Sequence, residues 1–204
     1  MEDIISINLI NTYRRITSLN YKKFCETEKK LTDLERPESW VMGKDKERFQ
    51  DALWLKRYEF SVITIIFSVL SVEAFCNDYI VTTLGKDYME QLDKLDIKNK
   101  LLLGIRLSTG KEFPKDKEAY CQLTNLVSLR NKLVHAKTKI TTVKELIEKS
   151  KIDDYYVNID KNLVVKATQI YELLVNEVKS LDENINSKYL IKTEELTDYF
   201  YESI

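Results

Sequence analysis

Glycine and proline are scarce, with four and two in 204 residues. So few breakers favour long helices over a sandwich of many short strands. Cysteine is scarce as well. Cys25, Cys76 and Cys121 are odd in number and widely spaced, and no C-x-x-C occurs, which points to free thiols in a reducing compartment. Histidine occurs once, as His135, so a zinc site built on several histidines is excluded. No Cys/His cluster has metal-ligand spacing, and no metal or cofactor is expected. Neither sign of charge dominates: 32 Lys and Arg stand against 33 Asp and Glu, a net charge of -1. A chain that is no polycation can meet nucleic acid only through a local patch. Dinucleotide-binding glycine fingerprints, P-loops and serine-hydrolase elbows are all missing. The start, Met1-Glu2-Asp3, lacks the basic-then-apolar pattern of a secretory leader. The most apolar uncharged run, Phe60 to Val72, is shorter than the roughly 20 residues that span a bilayer. A cytoplasmic chain without a membrane segment is the expectation.

What is present is an ordinary globular balance, 44% hydrophobic and 32% charged, in a length that suits one domain over residues 1–204. The apolar spacing predicts an all-α, up-and-down bundle of five to six helices. A first helix runs to about Leu34 and stops before Pro37, because the residue preceding proline avoids the α region. A second, from about Lys46 to Thr83, is apolar almost all round in its later half and should be the central helix, with Gly85 as its cap. A third fits Asp87 to Ile105, a fourth Lys115 to His135, and a fifth follows Asp160-Lys161-Asn162. Residues Tyr155 to Val165 also fit a small hairpin, and a short helix after Thr193 fits a loose capping pattern.

The chemistry concentrates in Arg130-Asn131-Lys132-Leu133-Val134-His135. Histidine is the side chain whose ordinary pKa lies near neutrality, so a neutral-pH proton transfer would most naturally use His135 or a strongly shifted carboxylate. Cys121 lies fourteen residues upstream on the same helix, about 21 Å away at 1.5 Å per residue, too far for a Cys–His nucleophile pair. Leu123, Leu126, Val127 and Val134 define an apolar stripe, and Arg130 falls inside it where Leu is expected. A partly desolvated Arg needs a partner. Glu73 interrupts the apolar second helix in a similar slot, so the two charges are expected to pair. Asn131 and His135 share a face one turn apart. From Ala119 to Lys144 there is no acid, while Arg130, Lys132, Lys137, Lys139 and Lys144 are present. Such a basic island suits a phosphate-bearing ligand. The plainer readings are a histidine serving the helix end, lysines on a solvated loop, and tyrosines (Tyr79, Tyr120, Tyr155, Tyr156) that pack rather than stack on bases.

Arg130-Asn131-Lys132-Leu133-Val134-His135 resembles the R-N-x-x-x-H form of the HEPN superfamily motif. Leu126-Val127-Ser128-Leu129 before it and Ala136-Lys137 after it are similar to the family's surroundings of that motif. Ser71 to Ile80, with Glu73 in an apolar run, looks like the family's second-helix signature, and Asp96 to Pro114 looks like its inter-helix region. Together the similarity covers residues 60 to 140.

The resemblance implies a compact helical bundle that dimerises, and in many members a metal-independent ribonuclease of toxin–antitoxin, abortive-infection or other antiviral systems. In this chain it implies catalytic roles for His135 as general acid or base, for Arg130 on the developing phosphorane charge and for Asn131 in orientation, with Glu73 holding Arg130. Lys132, Lys137 and Lys139 would draw in the RNA backbone. The implied partners are an RNA substrate, a second copy of the chain, and an antitoxin or defence-system protein. Relatives silenced by adenylation carry Tyr two residues after the His; Lys137 stands there, which speaks against that regulation. The alternatives are a non-catalytic HEPN-like dimer that binds a protein or nucleotide, and an unrelated helical protein.

Overall fold

Long unbroken runs of helix-compatible residues become long helices. The computed structural model describes residues 2–35, 44–135 and 159–192. Within them the order is α1 (Glu2–Glu35), α2 (Lys44–Leu84), α3 (Lys86–Leu92), α4 (Ile97–Thr109), α5 (Glu118–Val134) and α6 (Lys161–Leu181), followed by a 3-10 turn at Ser187–Leu190. The protein is an all-α bundle, and no strand occurs among the described residues.

Caps explain the boundaries. Gly85, at φ 94°, adopts a conformation that L side chains rarely take and separates α2 from α3. Gly110, at φ 72°, closes α4 in the left-handed form. The single third helix expected over Asp87 to Ile105 is in fact two. Asp96 starts a new one by accepting from the Asn99 backbone N–H at 3.0 Å, a local bond that competes with continuing the first. The hairpin reading around Asp160 fails for the same kind of reason. Asp160 caps α6 by accepting from the Asn162 N–H at 3.2 Å. The helix expected after Thr193 lies outside the described residues.

α1 and α2 form an antiparallel hairpin: Tyr13 meets Phe67, Glu28 pairs with Arg57, and Leu31 and Leu34 cluster with Leu53. α6 runs alongside, with Arg14 near Glu172 and Phe75 edge-on to Tyr171. α2 touches each of the other five helices, as its apolar second half predicts. Phe75, Ile65, Val69, Val72 and Ile80 are fully buried there with Leu126, Ile170 and Leu174. α4 crosses closely at Gly104, where an added Cβ would stand 3.0 Å from the Ile80 side chain. Measured along the whole helix, α2 is long and apolar enough by length and composition to cross a membrane, although Phe60 to Val72 alone is not. Half of its most apolar window is buried inside the bundle, a property shared by core helices of soluble proteins.

Buried polar groups tie the C-terminal turn to α2. The Tyr189 hydroxyl donates to Asp78 at 2.5 Å, and Lys188 Nζ lies 3.0 Å from the same oxygen. The Tyr79 hydroxyl donates to Asp182 at 2.7 Å. Burial, with the neighbouring carboxylates adding to it, pushes both hydroxyls above the usual tyrosine range. Burial likewise pushes the Cys76 thiol from 9.0 up to about 12, with the charge of Glu73 contributing.

Two outcomes follow from this packing. Leu174→Ala should cost about 2–5 kcal/mol and Gly104→Leu about 1–3 kcal/mol in urea unfolding, whereas the exposed Leu107→Ala should stay within about 0.5 kcal/mol. The raised groups hold their protons more tightly folded than unfolded, so their contribution is fully present below pH 9 and lost as pH rises; for Cys76 the window is 9.0 to about 12. Thiol labelling of native protein at pH 8 should therefore modify exposed Cys121 and spare Cys76 until the chain unfolds. Equal labelling rates would contradict the burial.

Candidate functional site at the end of the fifth helix

α5 begins after Pro114, is anchored by the buried Ala119, Leu123, Leu126 and Leu129, and ends at Val134. Arg130 sits on the buried stripe, as the spacing predicts, and is half-buried. Its Nε is buried without a hydrogen-bond partner. Its Nη1 reaches the outer surface and donates to Asn131 Oδ1 at 3.1 Å. Asn131 is exposed, and its carbonyl accepts the backbone N–H of His135 at 3.0 Å. His135 leaves the helix at φ -106° as the C-terminal cap, with its side chain exposed. Lys132 is exposed on the outward face.

Arg130 and Asn131 are thus in direct contact, and His135 is joined to Asn131 through the backbone. An arginine whose stem is buried has few rotamers left, so the tip is held where it emerges beside Asn131. The arrangement offers planar donors on a fixed stem and a solvent-accessible imidazole about one turn further on. Those groups suit an anion with an adjacent proton to move.

Two expectations do not survive. Val134 is exposed rather than part of the buried stripe, because the helix ends there and leaves the bundle. Among the described residues, no ion pair or hydrogen bond joins Glu73 to Arg130. Glu73 lies half-buried one turn before Asn77, on the side of α2 reached by Lys100 of α4, whose Nζ donates to Asn77 Oδ1 at 3.0 Å. Both charges interrupt apolar helices, but that property carries no information about which neighbour each one faces. Lys137 and Lys139 lie outside the described residues, so the basic island is described only as far as Arg130 and Lys132. Tyr79 and Tyr120 are packing residues: the first is buried and the second is half-buried against Phe113.

Sequence reasoning passed over Thr124. It lies seven residues before Asn131 on the same face, and its hydroxyl is buried without a partner. Threonine inside a helix carries no distinctive signal. Among the described residues no group of three His, Cys, Asp or Glu side chains is placed to hold a metal ion. Compared with known proteins, the chain matches no family model, no curated protein and no solved structure.

The partnerless Nε makes a clear stability expectation. Arg130→Met keeps the buried stem and removes the unsatisfied donor, so the variant should unfold at the same denaturant concentration as the parent or a higher one. A loss above about 2 kcal/mol would show that Arg130 serves the fold.

Proposed function

We propose that the protein is a metal-independent RNA endonuclease of the HEPN type, acting as a toxin or effector of a toxin–antitoxin or antiviral defence system. The observation that carries this reading is the placement of Arg130 in an apolar slot of a core helix. Its guanidinium emerges against Asn131, five residues before an exposed His135. An arginine that contributes nothing evident to the core is the pattern expected of a group retained for a ligand.

In the reaction the substrate 2′-hydroxyl attacks the adjacent phosphorus. The products are a 2′,3′-cyclic phosphate and a free 5′-hydroxyl. His135 moves a proton at one of the two oxygens. Arg130 stabilises the charge on the non-bridging oxygens through its planar donors, and Asn131 orients Arg130 or the phosphate. Lys132, with Lys137 and Lys139, attracts the backbone. One chain supplies one imidazole, whereas cleavage benefits from both a base and an acid. A homodimer with α5 beside the two-fold axis supplies both, since an isologous interface sets the same patch against itself.

The second reading is a HEPN-like dimeric module that binds a protein or nucleotide without cleaving it. It is favoured by the net charge of -1, which lends no general attraction to RNA. One experiment separates the two. Purified protein is incubated with RNA in EDTA, the ends of the products are identified, and mass in solution is measured. Cleavage leaving cyclic phosphate, lost at least about 100-fold in His135→Ala and Arg130→Met with folding and dimer mass unchanged, is the expected result. A fully active His135→Ala variant, or a strictly monomeric parent that cleaves RNA, would overturn the composite site.

A further inference from the structure

Apart from the Arg130 and His135 region, with which it shares no lining residue, a cleft of about 420 Å³ opens between α1, α2 and α6. That volume falls in the range of small-molecule sites, roughly 300–1,000 Å³. Arg14 forms part of its floor and is only 2% exposed. Arg14 Nη2 donates to the Ile191 carbonyl at 2.6 Å and lies 3.4 Å from Glu172 Oε1, while the guanidinium stands over the Tyr171 ring at 4.2 Å. Glu172 and Lys192 occupy the rim, so two cations face one carboxylate, and that carboxylate is half turned to solvent.

The walls are lined with hydroxyls, and four of them have already committed their protons. Thr17 donates to the Tyr13 carbonyl at 2.9 Å, Ser68 to Ile65 at 2.8 Å, Ser71 to Ser68 at 2.7 Å and Thr168 to Val165 at 2.7 Å. What these oxygens have left to offer is lone pairs, so they act as acceptors. The cleft therefore combines a net positive charge for an anionic group with several acceptors for a ligand's own donors. An apolar ligand would satisfy neither, and a bare inorganic anion only the first.

We infer that this cleft binds a small polyhydroxylated anion of the sugar-phosphate class. The anionic group lies toward Arg14 and Lys192, and the ligand hydroxyls donate to Thr17, Ser68, Ser71 and Thr168. This site is independent of the ribonuclease reading and stands whether or not RNA is cleaved.

Titration calorimetry on the full chain tests it, with ribose 5-phosphate as the probe and ribose and inorganic phosphate as separate comparisons. Ribose 5-phosphate should bind saturably at one site and about tenfold more tightly than either comparison, since it alone meets both halves of the cleft. Thr168→Val keeps the side-chain shape and removes an acceptor; Lys192→Ala removes the rim charge. Each should weaken binding by about threefold to tenfold with unchanged thermal unfolding, while Lys132→Ala at the other site should leave binding unaltered. Arg14 also anchors Ile191, so its replacement risks the fold; the Thr168 and Lys192 variants avoid that ambiguity. The proposal is overturned by no saturable binding up to about 10 mM, by phosphate binding as tightly as ribose 5-phosphate, or by affinities that neither of these variants changes.

Discussion

The second half of α2 is apolar on nearly every side; the other helices pack against it and bury about half of its most apolar window. Val69, Val72, Phe75 and Ile80 are almost completely withdrawn from water, and every other α-helix of the described fold touches α2. Fully burying a Val, Ile or Phe side chain stabilises the fold by about 1.5–3 kcal/mol, so this stretch contributes substantially to folding. The fully buried polar groups on it each have a bond close at hand. Ser61, Thr64, Ser68 and Ser71 donate to carbonyls of their own helix. Asp78 takes Tyr189 and Lys188, and so fastens the C-terminal turn. The polar lining of the cleft beside Arg14 is a consequence of that local arrangement, because hydroxyls bonded within their helix leave no cross-helix bond to close the gap.

Arg14 and Arg130 are two answers to the same problem. Each lies in an apolar slot of its helix. Arg14 is enclosed and fitted to the fold by a carbonyl, a carboxylate and an aromatic ring. Arg130 is only half enclosed and turns its tip outward to Asn131. A charge matched inside the fold serves structure and, through the cleft, a ligand small enough to enter. A charge led to the surface at a helix end is available to a larger partner, which is why the RNA reading attaches to Arg130 and the small-anion reading to Arg14.

Much of this was legible in the residues alone. The scarcity of glycine and proline determines long helices, because little else interrupts the helical hydrogen-bond ladder. The uncharged run after Phe60 determines the central helix, and the slot of Arg130 on the buried face of α5 follows from a fixed 100° per residue. These are local or periodic properties, so the chain carries them without reference to its partners. The break at Asp96, the pairing of neither Glu73 nor Arg130 with the other, and the cleft around Arg14 were decided only by the tertiary structure. A side-chain cap wins or loses by a margin of about 1 kcal/mol against continuing the helix. Which neighbour a misplaced charge meets, and whether three packed helices leave a gap, depend on relative rotation and crossing of helices, and periodicity along one helix does not encode them.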